Sequence, residues 1–209
     1  MQAYLSVYPQ DKYKCSVIYN LLFSNEIIEK SKEKISLNKS DVFTFVNIGR
    51  QTEFDKRLSR IINASEKLKK EKYTFNVLLI GKGTDTKKYK KIVKQKNLED
   101  IITFIDNQKN PYPYFKLGDT FVLSSAFEGL PTTILESLVL NIPIISTNVS
   151  DVKEIVDNKY GIVVENNDED IYIAMKRVLK NPIKIKKEFN IQKYNNSNLK
   201  KVERLLDNE

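Results

Sequence analysis

The chain contains no histidine among its 209 residues, and it has a single cysteine, Cys15. The absence of histidine excludes a histidine base and histidine metal ligands from any site that the chain builds by itself. One cysteine cannot form an internal disulfide, which is typical of proteins in a reducing compartment. We therefore expect a cytoplasmic protein whose site contains no histidine-bound metal.

Long apolar runs are also missing. The longest one, residues 134–145, is interrupted by polar residues and falls short of the roughly 20 residues that span a bilayer. No segment has the apolar core and small-residue cleavage site of a secretion signal. These absences predict a chain without a transmembrane segment, and they leave peripheral contact with the inner face of the membrane open.

The charge is unbalanced, with 35 basic and 27 acidic residues and a formal net charge of +8. Such a balance suits a polyanion, an anionic membrane surface or an anionic small molecule, and a solvated lysine-rich surface explains it equally well. Nucleic-acid binding would need basic and aromatic residues interleaved on one face. The lysines instead recur along several separate helices, so we expect no nucleic-acid partner.

Short runs of β-branched and aromatic residues alternate with longer amphipathic stretches, which predicts strands separated by helices. Continuous apolar strands joined through helices form parallel sheets that are covered on both faces. The fold class predicted is therefore α/β, a Rossmann-like parallel sheet with helices on both faces. The expected strands are Val42–Ile48, Phe75–Ile80, Ile101–Ile105, Thr120–Leu123, Pro143–Ser146 and Gly161–Val164.

The same periodicity divides the chain into three parts. Residues 1–40 form an irregular lead-in, with a possible strand at Ser16–Leu22 and a helix at Asn25–Lys34. Residues 41–190 form the sheet domain, and residues 191–209 contain a terminal helix. The expected helices are Lys56–Lys70, Lys87–Lys96, Tyr112–Lys116, Pro131–Leu140, Asp151–Val156, Asp168–Leu179 and Tyr194–Leu206.

Ligands of such sheets bind outside the carboxyl ends of the strands, so the loops there are informative. Gly49 and Arg50 follow the first strand, and Lys56 stands at the expected start of a helix. Two cations beside a helix N-terminus could cradle a diphosphate, although solvated surface cations give the same pattern. Gly81 and Gly83 follow the next strand, where a close ligand and a tight turn are equally good explanations.

The segment from Phe127 to Glu136 has the most specific pattern. Gly129 predicts a turn after a strand, and Pro131 suits the first position of a helix. The helix start then presents free backbone N–H groups, which favour an anion. These groups belong to Leu130, Thr132 and Thr133.

Glu128 and Glu136 flank this anion site at a spacing of eight residues. Carboxylates that faced a phosphate would repel it, so we expect them to accept hydrogen bonds from sugar hydroxyls on either side. A third acidic group, Asp168-Glu169-Asp170, resembles a diphosphate–metal motif. Its position at a helix start favours helix capping, and no metal site is expected.

The two glutamates and their surroundings resemble the retaining family 4 (group 1) glycosyltransferases of the two-domain GT-B type, in the C-terminal, donor-binding domain. The order and spacing of several segments carry the resemblance, which spans roughly residues 16 to 206. The segments are residues 47–50 with Lys56, 79–83, 110–114, 118–125, Glu128 with Glu136, 142–147, 154–155 and 160–161.

The resemblance implies catalytic roles for Glu128, Arg50 and Lys56, with the two cations neutralising a donor diphosphate. Glu136 would bind ribose hydroxyls and Glu128 the transferred sugar. The implied binding set is Gly49, Arg50, Lys56, Gly81, Gly83, Thr103, Phe104, Glu128, Gly129, Leu130, Pro131, Thr132, Thr133 and Glu136. The family needs no cofactor, and its substrate is a nucleotide-sugar, here UDP- or GDP-linked.

The family's enzymes are about twice as long, because a separate N-terminal domain binds the acceptor. The resemblance therefore implies the donor-binding half of a hexosyltransferase that acts with retention on a cell-surface glycan or glycolipid. This half would be incomplete without an N-terminal domain as its partner. The alternative is a non-catalytic nucleotide-sugar-binding module or a truncated remnant.

Overall fold

A computed structural model describes residues 2–15, 17–156 and 158–206. The chain divides into two compact units, Ser24–Phe189 and the pair of segments Met1–Phe23 and Asn190–Glu209. The larger unit contains a six-stranded sheet. Its strands are β1 Thr44–Ile48, β2 Asn76–Ile80, β3 Ile102–Ile105, β4 Thr120–Leu123, β5 Ile144–Thr147 and β6 Gly161–Val164.

The helices fill the connections between these strands and the two ends of the chain. They are α1 Gln2–Val7, α2 Ser24–Lys30, α3 Leu58–Lys70, α4 Thr86–Gln95, α5 Tyr112–Phe115, α6 Thr132–Val139, α7 Val152–Val156, α8 Asp168–Lys180 and α9 Ile191–Leu206, with a 3₁₀ turn at Pro9–Lys14. None of the helices within the described residues is long and apolar enough to cross a membrane.

All the strand pairings are parallel, in the order β3-β2-β1-β4-β5-β6. Every residue of β1 and β4 is buried, as expected for strands that are covered on both faces. The predicted α/β fold class is therefore confirmed. The six predicted strands are also confirmed, each to within two residues at either end.

Successive residues of a strand point to opposite faces, and each face has its own apolar core. Phe45 of β1 packs into a core with α3, α4 and α8, whereas its neighbour Val46 packs into a second core with α6 and α7. Burial of both cores fixes the register of β1, because a shift by one residue would exchange the two faces.

The lead-in differs from the expected boundary at residue 40. Helix α2 belongs to the larger unit. It contacts α5 and α6, and its residue Ile27 is buried. The helix expected at Asn25–Lys34 ends four residues earlier, at Lys30. Apolar packing against two other helices therefore ties residues 24–40 to the sheet unit.

The strand proposed for Ser16–Leu22 is wrong within the described residues 17–22, and Ser16 lies outside them. In the smaller unit, side-chain amides of α9 satisfy the backbone of this segment instead of a neighbouring strand. Asn195 accepts a hydrogen bond from Leu22 N at 3.2 Å and donates one to Leu22 O at 2.7 Å. Asn198 likewise accepts from Tyr19 N at 3.2 Å.

Gly161 allows a close approach between the last two strands. A Cβ atom built there would lie 2.0 Å from the carbonyl oxygen of Ile144, its register partner in β5. Gly161→Ala should therefore lower the free energy of unfolding by about 2–4 kcal/mol, because the strands must separate. Urea unfolding followed by circular dichroism measures this loss.

Gly129→Ala is the matched control. A Cβ at that position meets no atom within 4 Å, so the free energy of unfolding should change by less than about 1 kcal/mol. Equal losses in the two variants would show that contact with β5 is not what requires a glycine at position 161.

Candidate functional site

The strand order reverses beside β1, which pairs with β2 on one side and with β4 on the other. Loops that leave the carboxyl ends of two such strands turn towards opposite faces and open a crevice. The loop after β1 carries Gly49, Arg50 and Lys56, and the loop after β4 carries Glu128 and Gly129. The structure thus brings the two main groups of predicted site residues to one edge of the sheet.

Lys56 and Glu128 form an ion pair across this crevice. Lys56 Nζ lies 2.5 Å from Glu128 Oε1, and both side chains are largely withdrawn from solvent. Ser125 Oγ also donates a hydrogen bond to Glu128 Oε1 at 2.7 Å. The carboxylate is therefore held by a cation and a hydroxyl, while the ammonium retains further N–H groups for another acceptor.

Lys56 was expected at a helix start, but α3 begins at Leu58. The helix begins two residues later than expected because Arg57 adopts the left-handed conformation, at φ 50° and ψ 45°. Ser124 Oγ lies 2.9 Å from the carbonyl oxygen of Lys56 and 3.1 Å from that of Arg57. The left-handed conformation of Arg57, which the hydrogen bonds from Ser124 stabilise, thus places Lys56 in a turn. The side chain of Lys56 then extends towards Glu128.

Arg50 is an accessible cation of the site, as is Lys82 in the neighbouring loop. Its side chain is 68% exposed and contacts Asp55 at 3.1 Å between Nη2 and Oδ2. Partial burial tends to raise the pKa of Asp55, but hydrogen bonds from Thr52 and the backbone, with the charge of Arg50, lower it overall. Asp55 is therefore a stable anion that orients Arg50, and the sequence analysis did not identify it.

Gly81 and Gly83 allow the loop after β2 to contact the loop after β1. A Cβ at Gly81, whose φ is +128°, would lie 2.0 Å from the carbonyl oxygen of Gly49. One at Gly83 would lie 2.3 Å from the carbonyl oxygen of Gln51. Close packing of two loops is therefore sufficient to explain both glycines.

These loops line a cleft of about 740 Å³. Its polar wall includes Asn107 and Gln108, which follow β3 and were missed by the sequence analysis. Thr103 and Phe104 were expected there, but they are not among its lining residues. Thr103 is exposed on the edge strand, and Phe104 packs on the core beneath the ammonium of Lys90. The binding role that the resemblance implies for Thr103 and Phe104 stays a prediction.

Helix α6 begins at Thr132, and Pro131 precedes it in an extended conformation. The proline was expected at the first helical position, so that prediction is wrong by one residue. The residue before the helix can have extended backbone angles, and Pro131 has φ −70° and ψ 120°. The first N–H groups of the helix, which include those of Thr132 and Thr133, lack hydrogen-bond partners within the helix. A helix N-terminus of this kind favours the binding of an anion.

Glu136 lies on the second turn of α6, beside Tyr112 of α5. Burial raises the pKa of Glu136, and the hydrogen bond from Tyr112 Oη at 3.4 Å offsets part of this effect. Burial, then the charge of Glu136, raises the pKa of Tyr112 to about 12. Tyr112 is a phenol that can only donate to this carboxylate at neutral pH, and the sequence analysis did not assign it a role.

Arg60 of α3 connects the loops behind the site. Its buried guanidinium donates to the carbonyl oxygen of Ser124 at 3.0 Å and to Asn166 at the side-chain and carbonyl oxygens. It also pairs with Asp168 at 3.2 Å. Asn167 caps α8 by accepting from Asp170 N, so the acidic cluster 168–170 lies in the first turn of a capped helix, as expected.

A family model described as glycosyl transferases group 1 matches residues 28–197, most of the chain. An uncharacterized glycosyltransferase of Methanocaldococcus jannaschii is 35% identical over 125 residues, covering 60% of this chain and 30% of that protein. The N-acetylgalactosamine-N,N'-diacetylbacillosaminyl-diphospho-undecaprenol 4-alpha-N-acetylgalactosaminyltransferase of Campylobacter jejuni is 26% identical over 169 residues, covering 79% of this chain and 44% of that protein.

Among solved structures, HepE of Anabaena in complex with UDP superposes with a TM-score of 0.73 at 15% identity. The match covers 90% of this chain and 57% of HepE, and at this identity it supports the fold alone. The chain spans less than half the length of the curated relatives described above.

Arg60→Met should lower the free energy of unfolding by about 2–4 kcal/mol, because it leaves the buried carbonyl oxygen of Ser124 without this donor and breaks the link to Asn166. Urea unfolding measures the loss. Arg50→Met is the matched control, since it removes an exposed guanidinium from the same region and should change stability by less than about 0.5 kcal/mol. Similar losses for both variants would contradict the role given to Arg60.

Glu136→Gln should change the pH dependence of stability. The raised pKa means that the folded state holds the proton of Glu136 more tightly than the unfolded state does. Wild-type stability is therefore lost as pH rises from the ordinary carboxyl range through the folded pKa. Glutamine cannot ionise, so the variant should be more stable relative to wild type at about pH 7 than at about pH 4.

Urea unfolding of both proteins at the two pH values measures this difference. Glu99→Gln, which removes an exposed glutamate, accounts for the change in surface charge. A stability difference for Glu136→Gln that is the same at both pH values would show that burial does not disfavour this carboxylate.

Proposed function

The chain belongs to the group 1 glycosyl transferases and has the fold of a C-terminal GT-B domain, and we propose that it binds the nucleotide-sugar donor of a hexosyltransferase. The observation that carries the proposal is the Lys56–Glu128 pair, which lies at the strand-order reversal between Arg50 and the start of α6. Cations, helix N–H groups and a carboxylate on loops at one edge of the sheet would suit a charged sugar donor.

The donor diphosphate would bind between Arg50, Lys56 and the N-terminus of α6. Arg50 has the exposed, forked guanidinium that binds phosphate oxygens in pairs. Lys56 supplies a second cation, and the helix end supplies backbone donors for the distal phosphate. These groups would stabilise the negative charge that develops on the departing nucleoside diphosphate, which is an electrostatic contribution to catalysis.

The two glutamates would bind hydroxyl groups on either side of the diphosphate. Glu136, whose ionised form is disfavoured by burial, gains hydrogen-bond donors when ribose hydroxyls approach. Glu128 is already oriented by Lys56 and Ser125 and would contact the transferred sugar. The cleft beside Asn107 and Gln108 continues from Arg50 and would hold the base.

We propose transfer with retention of configuration. The acceptor hydroxyl would attack the anomeric carbon from the face that the diphosphate leaves, and its proton would pass to a phosphate oxygen of that leaving group. A new glycosidic C–O bond forms while the C–O bond to the diphosphate breaks, so no base from the protein is needed. This suits a chain without histidine.

The acceptor proposed is a cell-surface glycan or a lipid-linked sugar at the cytoplasmic face of the membrane. The Campylobacter relative is named for transfer to a sugar linked to diphospho-undecaprenol. The relatives are more than twice as long as the parts that match this chain, and we propose that an N-terminal domain outside the given residues binds the acceptor. UDP, the nucleotide bound in the HepE structure, is the first donor base to test.

Calorimetric titration of the chain with UDP, GDP and their sugar conjugates tests the donor site. We expect micromolar binding of one nucleotide class and about 10-fold to 100-fold weaker binding in Arg50→Ala and Glu136→Ala, because each variant loses a hydrogen bond in which at least one group is charged.

Arg177→Ala and Glu99→Ala are the matched controls for charge and size, since both side chains are exposed and lie outside the crevice loops. They should bind as the wild type does. Absence of binding to every nucleotide would overturn the donor-site proposal. Binding without transfer, even with an N-terminal acceptor domain present, would support the alternative of a non-catalytic module.

A further inference from the structure

Strand β6 forms an outer edge of the sheet, because it is the last strand in the order and β5 is its neighbour. The carbonyl oxygens of Tyr160 and Val164 face β5, where they accept backbone hydrogen bonds at 3.1 and 2.7 Å. Backbone groups alternate in direction along a strand, so the N–H and C=O groups of Gly161 and Val163 point away from β5. Within the described residues, no hydrogen bond pairs these outward groups with another segment. The edge therefore offers donors and acceptors to a further strand.

A groove of about 720 Å³ lies beside this edge. It is lined by β6 and by the segment 181–189 that follows α8, which we call the strap. Ile183 of the strap packs against the core that contains Phe45. On the other face of the sheet, the rings of Phe189 and Tyr160 meet edge to face with centroids 5.6 Å apart. These contacts fix the strap near both of its ends, so the groove is formed before a ligand binds.

The groove is strongly basic. Its described lining residues include five cations and no carboxylate. All five side chains are exposed, and across the part of the chain that the structure describes none of them forms an ion pair. The groove therefore favours a ligand with negative charge. The five cations are Lys159, Arg177, Lys184, Lys186 and Lys187.

The backbone groups of the edge distinguish between anionic ligands. Phosphate groups, whether in a lipid headgroup or in a nucleotide, accept hydrogen bonds but leave the C=O groups of Gly161 and Val163 without donors. Another strand supplies both donors and acceptors at the spacing that the edge requires. A second copy of β6 would bring the same five cations to the groove and would be repelled. An extended segment with acidic side chains matches both the edge and the cations.

We propose that the groove beside β6 binds an extended acidic segment of a partner protein, which adds a strand to the sheet. The main chain of that segment pairs with Gly161 and Val163, and its carboxylates contact the lysines of the strap. At roughly 3.3 Å per residue, a segment of about five residues matches the length of β6. Strand β5 separates β6 from β4, so this site is distinct from the crevice and does not depend on the proposed function.

The test is an NMR titration of the full chain, labelled with nitrogen-15, with a synthetic peptide. The peptide has blocked ends, and glutamate alternates with threonine over about seven residues, which favours an extended conformation. We expect saturable shifts of the Gly161 and Val163 amide signals, with a dissociation constant of about 10–1,000 μM. Hydrogen exchange at both amides should be about 10-fold slower at saturation, because strand addition protects them.

Two modified peptides separate strand pairing from attraction by charge. One is N-methylated on its glutamates and the other on its threonines, so both keep every carboxylate. Alternate residues of a strand face the same neighbour, so one of the two peptides loses the donors that face β6. That peptide should bind about 10-fold or more weakly than the parent, and the other should retain binding.

A lysine variant tests the contribution of the strap. It combines Lys184→Ala, Lys186→Ala and Lys187→Ala, and it should bind the peptide about 10-fold or more weakly. The control removes the same charge from exposed positions of α4, which lie outside the groove, and should bind within about 2-fold of the wild type. The control combines Lys87→Ala, Lys88→Ala and Lys91→Ala.

Three results would overturn the proposal. The amides of Gly161 and Val163 do not respond to the peptide up to about 5 mM, a concentration that would detect weak binding. Both methylated peptides bind as tightly as the parent, which would show attraction by charge without strand pairing. Phosphatidylglycerol vesicles bind through the strap lysines while the peptide does not, which would indicate a membrane surface. Nucleotide titration reports on the donor site alone, so the two proposals can fail separately.

Discussion

Strand β1 pairs with strands on both of its sides, and the rest of the site depends on this arrangement. Because all the strands are parallel, the loops after β1 and β4 leave the same edge of the sheet. Their helices pack on opposite faces, so the loops diverge there and leave a crevice between them. Residues 72 positions apart, Lys56 and Glu128, can therefore form an ion pair.

Several residues behind this crevice have an unfavourable backbone conformation or a buried ionisable group, and hydrogen bonds stabilise them. Arg57 has a left-handed backbone, Glu136 is a carboxylate whose ionised form burial disfavours, and Arg60 is a buried cation. Each is a local departure from the most stable choice, and departures of this kind concentrate at functional sites. Arg60 and Ser124 stabilise the loops by donating hydrogen bonds to backbone carbonyl oxygens. Within the described residues, the hydrogen bond found for the Glu136 carboxylate is a long one, from Tyr112 Oη at 3.4 Å.

The strands of the sheet could be predicted from the sequence, because buried parallel strands are continuous apolar runs, such as Phe121–Leu123, between helices of regular period. The sequence was also sufficient for the loops that meet at the crevice, since strand ends share one edge. Features that depend on partners far along the chain were not predicted. Residues 17–22 look like a strand until Asn195 and Asn198 are known to satisfy their backbone, and Phe104 faces the core for reasons of packing that no local pattern records.

The net charge of the chain is a poor guide to this site. The lysine-rich runs 67–72 and 87–96 lie largely on α3 and α4, where Lys67, Lys70 and Lys96 pair with glutamates on the surface. Such exposed pairs are screened by salt and contribute little field at a distance. The cations nearest the crevice are Arg50, Lys56 and Lys82, and the first two are paired with Asp55 and Glu128. Selection of a ligand depends on a few groups in fixed positions, so an excess of eight positive charges over the whole chain does not by itself distinguish one ligand class from another.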